Sequence, residues 1–120
     1  MIFKILFSRR KSLKLNPSKF EIPEFNNLSG IIYNVNSKYT VARKFKKLNW
    51  SIRKSTYHDF ELECEWASFQ LEGYDHILIN GIIDPKMFNH LSSLLKQFGV
   101  DYKLELYDGN HILNECSFKK

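Results

Sequence analysis

The stretch 59–66 restricts the fold of this chain more than any other part of the sequence. Acidic and apolar residues alternate strictly along it, and its acidic members are Asp59, Glu61, Glu63 and Glu65. Side chains along a strand point to opposite faces in turn, so the pattern predicts an extended segment with one acidic and one apolar face. The apolar residues then change parity from Ala67 onward. This change predicts a β-bulge or sharp bend near 65–67.

Periodicity and turn residues predict the other elements. They are strands at 2–7, 31–35, 50–53, 77–83, 101–107 and 111–117, with helices at 37–48 and from Asp84-Pro85 to Gly99. A helical connection between 77–83 and 101–107 predicts that these two strands run parallel, with antiparallel hairpins around them. The sequence therefore predicts one α+β domain over 1–120, a mixed sheet of five or six strands with two helices packed against it.

Composition restricts the cellular location that we expect for the chain. No run of about 18 apolar residues is present, so we expect no membrane span. The opening residues 1–7 place apolar residues before Arg9 and Arg10, the reverse of a secretory signal. Cys64 and Cys116 have no neighbouring cysteine or histidine at metal spacing, which favours a reduced, buried pair and a cytoplasmic location.

Charge is divided unequally between the two halves of the chain. Residues 1–54 hold thirteen Lys and Arg against two acids, a net charge of +11, and residues 55–120 hold five against eleven, a net charge of −6. Such asymmetry indicates charged partners, or halves that neutralise each other in the fold.

The acidic face of 59–66 is the first candidate site. Neighbouring carboxylates on that face lie about 7 Å apart and repel one another. Three sources of compensation stay open: internal cations such as Arg53, Lys54 or Lys103, a basic partner protein, or a divalent cation, although no histidine is in register with the row.

The basic residues are the second candidate site, and their pattern allows contact with nucleic-acid phosphates. They are Arg9, Arg10, Lys11, Arg43, Lys44 and Lys47. No base-reading motif accompanies them, so a nucleic-acid partner is the alternative and not the leading hypothesis.

No catalytic signature is present. The four histidines are scattered, the glycines are too dispersed to cradle a phosphate, and Cys64 shares the inward parity of the apolar residues. We therefore expect a protein that is not an enzyme and that binds no cofactor and no metal.

Residues 50–107 resemble the small immunity proteins of contact-dependent growth inhibition and other polymorphic toxin systems of bacteria. The similarity lies in Trp50-Ser51-Ile52-Arg53, in Tyr57, Asp59-Phe60-Glu61 and Trp66-Ala67, and in Leu104-Glu105-Leu106-Tyr107-Asp108. It implies a protein that neutralises a toxin by binding it, and it assigns no functional residue.

A cationic toxin domain would suit the acidic face. We expect such a partner to contact Asp59, Glu61, Glu63 and Glu65, with Arg53 and the aromatic anchors Tyr57 and Tyr107. The net positive charge of this chain departs from the acidic composition common among nuclease inhibitors.

Overall fold

The computed structural model describes residues 15–17, 19–55 and 59–120, and this part of the chain contains seven strands and two helices. The strands are β1 (Leu28–Tyr33), β2 (Ser51–Lys54), β3 (Phe60–Cys64), β4 (Ala67–Glu72), β5 (Ile77–Ile83), β6 (Asp101–Asp108) and β7 (His111–Phe118). The helices are α1 (Lys38–Lys46) and α2 (Phe88–Gln97), and a 3₁₀ turn (Pro85–Met87) leads into α2. The α+β class is confirmed, but the predicted five or six strands are too few. The predicted strand at 2–7 lies outside the described residues.

The strands form a single sheet in the order β2-β3-β4-β5-β1-β6-β7, and every neighbouring pair is antiparallel. The expected mixed sheet is therefore wrong. β5 and β6 run in the same direction, because both are antiparallel to β1. They do not pair, since β1 from the N-terminal half lies between them.

Of the two predicted causes of the parity change after β3, a bulge or a sharp bend, the structure has a bend, in the form of a hairpin turn. Glu65 and Trp66 form a two-residue turn, and Cys64 pairs directly with Ala67 in the ladder of β3 and β4. Residues opposite each other in an antiparallel pair share a face, so reversing the chain keeps both apolar sets on one side. The segment 59–66 is thus a strand followed by a hairpin turn.

Both helices pack on one face of the sheet, called here the helix face. The predicted basic helix is confirmed with slightly shorter bounds, and Ser37 caps it by accepting a hydrogen bond from the Thr40 amide. Phe45 of α1 is fully buried, with ring centroids 4.7 Å from Trp50, 5.7 Å from Phe69 and 5.0 Å from Phe98. This aromatic cluster anchors α1 against the sheet.

The second helix begins and ends as predicted. The Asp84 carboxylate accepts a 3.0 Å hydrogen bond from the Lys86 amide, and Pro85 occupies the first turn. Gly99 follows the helix with φ of 78°, the left-handed geometry that glycine favours. Neither helix in the described residues has the length and apolar character needed to cross a membrane.

The other side of the sheet, called here the second face, is partly covered by the segment that precedes β1. Leu15, Phe20 and Ile22 pack on Ile82 of β5 and form a small separate apolar cluster. The Asn16 amide donates a 2.9 Å hydrogen bond to the Glu65 carbonyl, which holds this segment beside the turn of β3 and β4. The acidic residues of β3 point to this same face, because they alternate with the apolar residues that join the core.

Candidate interaction surface

Two of the four carboxylates predicted to form an acidic docking face are buried in the protein. Glu61 is 7% exposed and Glu63 is 5% exposed. The Ser68 hydroxyl donates to Glu63 Oε1 at 3.1 Å, and the Leu15 amide lies 3.4 Å from Glu63 Oε2. An Arg53 guanidinium nitrogen lies 3.3 Å from Glu61 Oε1. These two carboxylates cannot contact a partner without displacing their internal partners.

The other two carboxylates of the row form ion pairs with the N-terminal half. Lys38 Nζ lies 3.0 Å from Asp59 Oδ1, and Lys19 Nζ lies 3.0 Å from Glu65 Oε2. Of the three sources of compensation left open by the sequence, the structure shows internal cations for Asp59, Glu61 and Glu65. Arg53 is the predicted partner of Glu61, whereas Lys103 is 3.8 Å from Glu105 in β6. The row is therefore not a continuous exposed surface, although its part in binding a partner stays a prediction.

A different surface on α1 combines aromatic and basic side chains. Its members are spaced i, i+4, i+7 and i+8 along the helix, and they are Tyr39, Arg43, Lys46 and Lys47. All four are exposed, while Val41, Ala42 and Phe45 on the opposite side are buried. We call these four residues, together with the neighbouring Tyr74, the α1 surface.

Cation–π contacts organise the aromatic part of the α1 surface. The Arg43 guanidinium carbon lies 5.4 Å from the centre of the Tyr39 ring, and the same ring lies 6.3 Å from Phe60. Lys38 Nζ lies 5.1 Å from the centre of the Tyr74 ring while it pairs with Asp59. Contacts of this kind contribute about 0.5–1 kcal/mol each at exposed sites. They hold two large rings in place at the surface, where Tyr39 is 57% and Tyr74 is 77% exposed.

The basic part of the α1 surface lacks local compensation. α1 contains no acidic residue, and within the described ranges no ion pair involves Arg43, Lys46 or Lys47. Like charges three or four residues apart on a helix repel by about 0.2–0.5 kcal/mol per pair. Their position in the last turn offsets part of this repulsion, because the carboxyl end of a helix favours cations. The remaining positive field faces solvent.

The other predicted site residues are distributed over several parts of the molecule. Lys44 is half-buried on α1. Tyr107 donates a 3.0 Å hydrogen bond from its hydroxyl to Glu105, which raises the Tyr107 pKa by stabilising the neutral phenol. Arg9, Arg10, Lys11 and Tyr57 lie outside the described residues.

Sequence reasoning did not select Tyr39 or Tyr74 as site residues. The signal for Tyr39 is its helical spacing to Arg43 and Lys47, which places an aromatic ring within a basic stripe. Tyr74 lies in a turn between β4 and β5, and only the fold brings it to Lys38. No local pattern marks that contact.

Two clefts among the described residues are lined by side chains that do not belong to the α1 surface. One, of about 470 Å³, is lined by Tyr33, Asn34, Asp101, Tyr102, Lys103, Ser117, Phe118 and Lys119. The Lys120 amide and the Asn34 side chain donate hydrogen bonds to Asp101 there and lower its pKa. The other, of about 330 Å³, lies beside Trp50, Trp66 and His90 and includes Cys64, whose pKa is raised to about 12 by burial. This thiol stays protonated at neutral pH, as a packed cysteine does.

Comparisons of the chain with models of known protein families, with curated proteins and with solved structures found no match. In residues 15–17, 19–55 and 59–120, no group of three His, Cys, Asp or Glu side chains is arranged to hold a metal ion. The candidate site therefore depends on the geometry and charge of the α1 surface alone.

Proposed function

We propose that this chain is a non-enzymatic protein-binding protein that docks onto an acidic region of its partner through the α1 surface. The observation that supports this most directly is the pairing of Arg43 with Tyr39 on an exposed helix. Tyrosine and arginine dominate the binding energy of many protein interfaces, because both bury a large area and retain hydrogen-bonding groups. The exposed Lys46 and Lys47 extend the same stripe.

The geometry of the rings favours a protein over a single-stranded nucleic acid. Bases stack on free aromatic faces, but one face of Tyr39 already carries the Arg43 guanidinium, and one face of Tyr74 carries the Lys38 ammonium. A guanidinium held in place by a ring is suited to paired hydrogen bonds with a carboxylate. We therefore expect Asp or Glu side chains on the partner to meet Arg43.

The sequence resemblance to immunity proteins suggests a bacterial toxin as the partner. The α1 surface requires the contacted region of such a toxin to be acidic, so the contact would lie away from any cationic phosphate-binding site. Inhibition would then come from steric blockage or from a change of toxin conformation. This differs from the expected contact between β3 carboxylates and a cationic toxin, since Glu61 and Glu63 are buried.

The test compares capture of partners by three purified baits: the unmodified protein, Tyr39→Ala with Arg43→Gln, and Lys86→Gln. Lys86 is exposed and lies outside α1, so its variant matches the loss of one charge elsewhere. The proposal expects a stoichiometric protein that binds the unmodified and Lys86→Gln baits. The α1 variant should bind it at least about 30-fold more weakly, as loss of a hot spot does. Equal binding to all three baits by a reconstituted partner would contradict the proposal.

The toxin-neutralising form needs one further result. The captured partner should have a toxic activity, and adding this chain should suppress that activity in proportion to complex formed. A partner without such activity would leave protein binding intact and remove the immunity role.

A nucleic-acid partner is the alternative function, and the exposed cations of α1 are the observation that favours it. Titration with labelled duplex and single strands at several salt concentrations separates the two proposals. Phosphate contact gives an affinity that falls steeply with salt, and Arg43→Gln and Lys47→Gln would each reduce that slope by about 1. Micromolar or tighter binding at physiological salt with this slope would favour the alternative.

A further inference from the structure

The two edges of the sheet differ in how well they are protected against pairing with another strand. The β2 edge is four residues long and carries Arg53 and Lys54. The β7 edge is eight residues long, and apart from His111 its single acidic or basic residue is Glu115. Two of its apolar side chains are exposed, Ile112 at 47% and Leu113 at 58%. Native proteins commonly shorten or charge their edge strands to prevent such pairing. β7 has a register shift opposite Leu106 and Tyr107, but the stretch beyond it is regular.

The hydrogen-bonding groups that β7 presents outward follow from contacts on its inner side. The Tyr107 amide donates to the Asn27 carbonyl beside β1, so odd-numbered residues of β6 direct their backbone groups toward β1. Even-numbered residues of β6 therefore face β7, where Leu104 lies opposite Cys116. By alternation, the N–H and C=O groups of Glu115 and Ser117 point away from β6, to the side where β7 has no neighbour among the described strands. Even-numbered residues of this segment should face β6, and the amide of Lys120 does so by donating a hydrogen bond to Asp101 of β6.

Symmetry limits how β7 could pair with β7 of a second copy. If a two-fold axis normal to the sheet relates the two copies, one residue must lie directly opposite its own copy. A centre between two residues is excluded, because it would pair residues whose side chains point to different faces of the sheet. A pair centred on Glu115 would set this carboxylate against its own copy, and a pair centred on Cys116 would set Glu115 opposite Ser117 of the second copy. Neither register gives Glu115 a cation. A pair centred on Ser117 sets Ser117 opposite Ser117 of the second copy. It also sets Glu115 of each copy opposite Lys119 of the other, so this contact occurs twice in the dimer. On the helix face the same register sets Cys116 opposite Phe118.

Glu115 is exposed and has no ion-pair partner among the described residues. It lies directly opposite Glu105 in the ladder of β6 and β7, and like charges in that position repel. Glu105 is compensated by Lys103 at 3.8 Å and by the Tyr107 hydroxyl at 3.0 Å. A lysine from a second copy would supply an opposite charge.

From these observations we propose that β7 is a homodimer interface, in which two chains join their sheets by antiparallel pairing of residues 114–120 centred on Ser117. The interface is closed, because the same residues are used by both copies. It is separate from the α1 surface, because α1 packs on β2 and β3 at one end of the strand order and β7 is the strand at the other end. A partner bound at α1 would therefore be presented twice on each dimer.

Sedimentation velocity and light scattering over a wide concentration range test this proposal. The unmodified chain should show a concentration-dependent equilibrium between monomer and dimer. Ser117→Pro removes the outward N–H at the centre of the pair and no inward hydrogen bond, so it should give monomer at all concentrations. Ser117→Ala keeps that N–H and should dimerise as the unmodified chain does.

Charge exchange supplies a second test that does not depend on a proline in the strand. Glu115→Lys or Lys119→Glu alone should raise the dimer dissociation constant roughly tenfold or more, because each creates two like-charge contacts. Glu115→Lys with Lys119→Glu should restore it to within a few-fold. A chain that is monomeric at every concentration, a dimer that the double exchange does not restore, or open-ended assembly beyond the dimer would each overturn the proposal.

Discussion

The Ser68 hydroxyl donates a 3.1 Å hydrogen bond to the buried carboxylate of Glu63, directly across the ladder of β3 and β4. Ser68→Ala leaves one oxygen of a buried charged group without this donor. We expect unfolding free energy to fall by about 1–3 kcal/mol at neutral pH. Urea denaturation measures the loss.

A double-mutant cycle provides the control for Ser68→Ala. In a Glu63→Leu background the same change should cost less than about 0.5 kcal/mol, because no carboxylate remains to be satisfied. An equal loss in both backgrounds would assign the effect to packing and not to this hydrogen bond.

Protonation of the Asp101 carboxylate should make the stability of the folded protein depend on pH in the acid range. Hydrogen bonds from the Lys120 amide and the Asn34 side chain lower its pKa, so the folded state holds the charged carboxylate more firmly than the unfolded state does. The contribution is complete above the ordinary aspartate pKa of about 3.9 and is lost as pH falls through the lower folded pKa. Asp101→Asn should therefore destabilise the protein at pH 7 and have a smaller effect as pH falls below about 4.

Thermal unfolding at a series of pH values, for the unmodified chain and Asp101→Asn, measures that difference. Asp108→Asn is the matched control, since Asp108 is exposed at the end of β6. If the difference in unfolding temperature between the unmodified chain and Asp101→Asn became larger as the pH was lowered, the lowered pKa of Asp101 would be contradicted.

Cys64 should be almost inert toward thiol reagents in the folded protein. Burial raises its pKa to about 12, so the thiolate fraction at pH 8 is roughly three orders of magnitude below that of an ordinary cysteine. Cys64 is half-buried and lines a cleft, so its low reactivity comes from the small thiolate fraction, and in a Cys116→Ser background iodoacetamide should modify it far more slowly in the folded chain than in urea. Mass spectrometry with and without urea measures this, and rapid labelling of the folded chain would show that the thiol is ionised and contradict the raised pKa.

Gly81 at the centre of the sheet has no room for a side chain. A Cβ built there would overlap the Ser68 carbonyl oxygen and the Phe69 Cα, and both are backbone atoms that cannot move independently. Gly81→Ala should destabilise the protein by about 1–3 kcal/mol or more. Gly109→Asn is the control, because the space around Gly109 is open and Asn tolerates its φ of 61°. We expect that change to cost less than about 1 kcal/mol, and a similar loss in both variants would contradict the steric argument.

The elements with local signals were predicted from the sequence. Asp84-Pro85 and Gly99 bound α2 because caps act on adjacent residues, and the alternation in 59–66 identified β3. At 65–67 the sequence leaves a bulge and a sharp bend open, since the turn at Glu65 and Trp66 contains no Asn-Gly or Asp-Gly signal. Because the turn has two residues, Cys64 pairs with Ala67 on the same face, and this explains why the apolar residues change from even to odd numbers.

The sheet order and the burial of the acidic row could not be predicted in the same way. β1 was expected at 31–35 and begins at Leu28, and its position between β5 and β6 depends on contacts about 50 to 80 residues away in sequence. Alternation assigns side chains to two faces without saying which face is covered. Leu15, Phe20 and Ile22 lie over the second face, so Glu63 is buried even though its pattern is typical of a solvated strand.

The location of β1 between β5 and β6 also determines how the protein can fold during synthesis. Leu28 pairs with Gly81 on one side and Leu106 on the other, so β1 leaves the ribosome long before either neighbour exists. The hairpins of β3–β4 and β6–β7 can form from local contacts, but the two halves of the sheet join only when β1 is inserted between them. We expect that insertion to limit the folding rate and to give this small domain the slow folding of proteins rich in distant contacts.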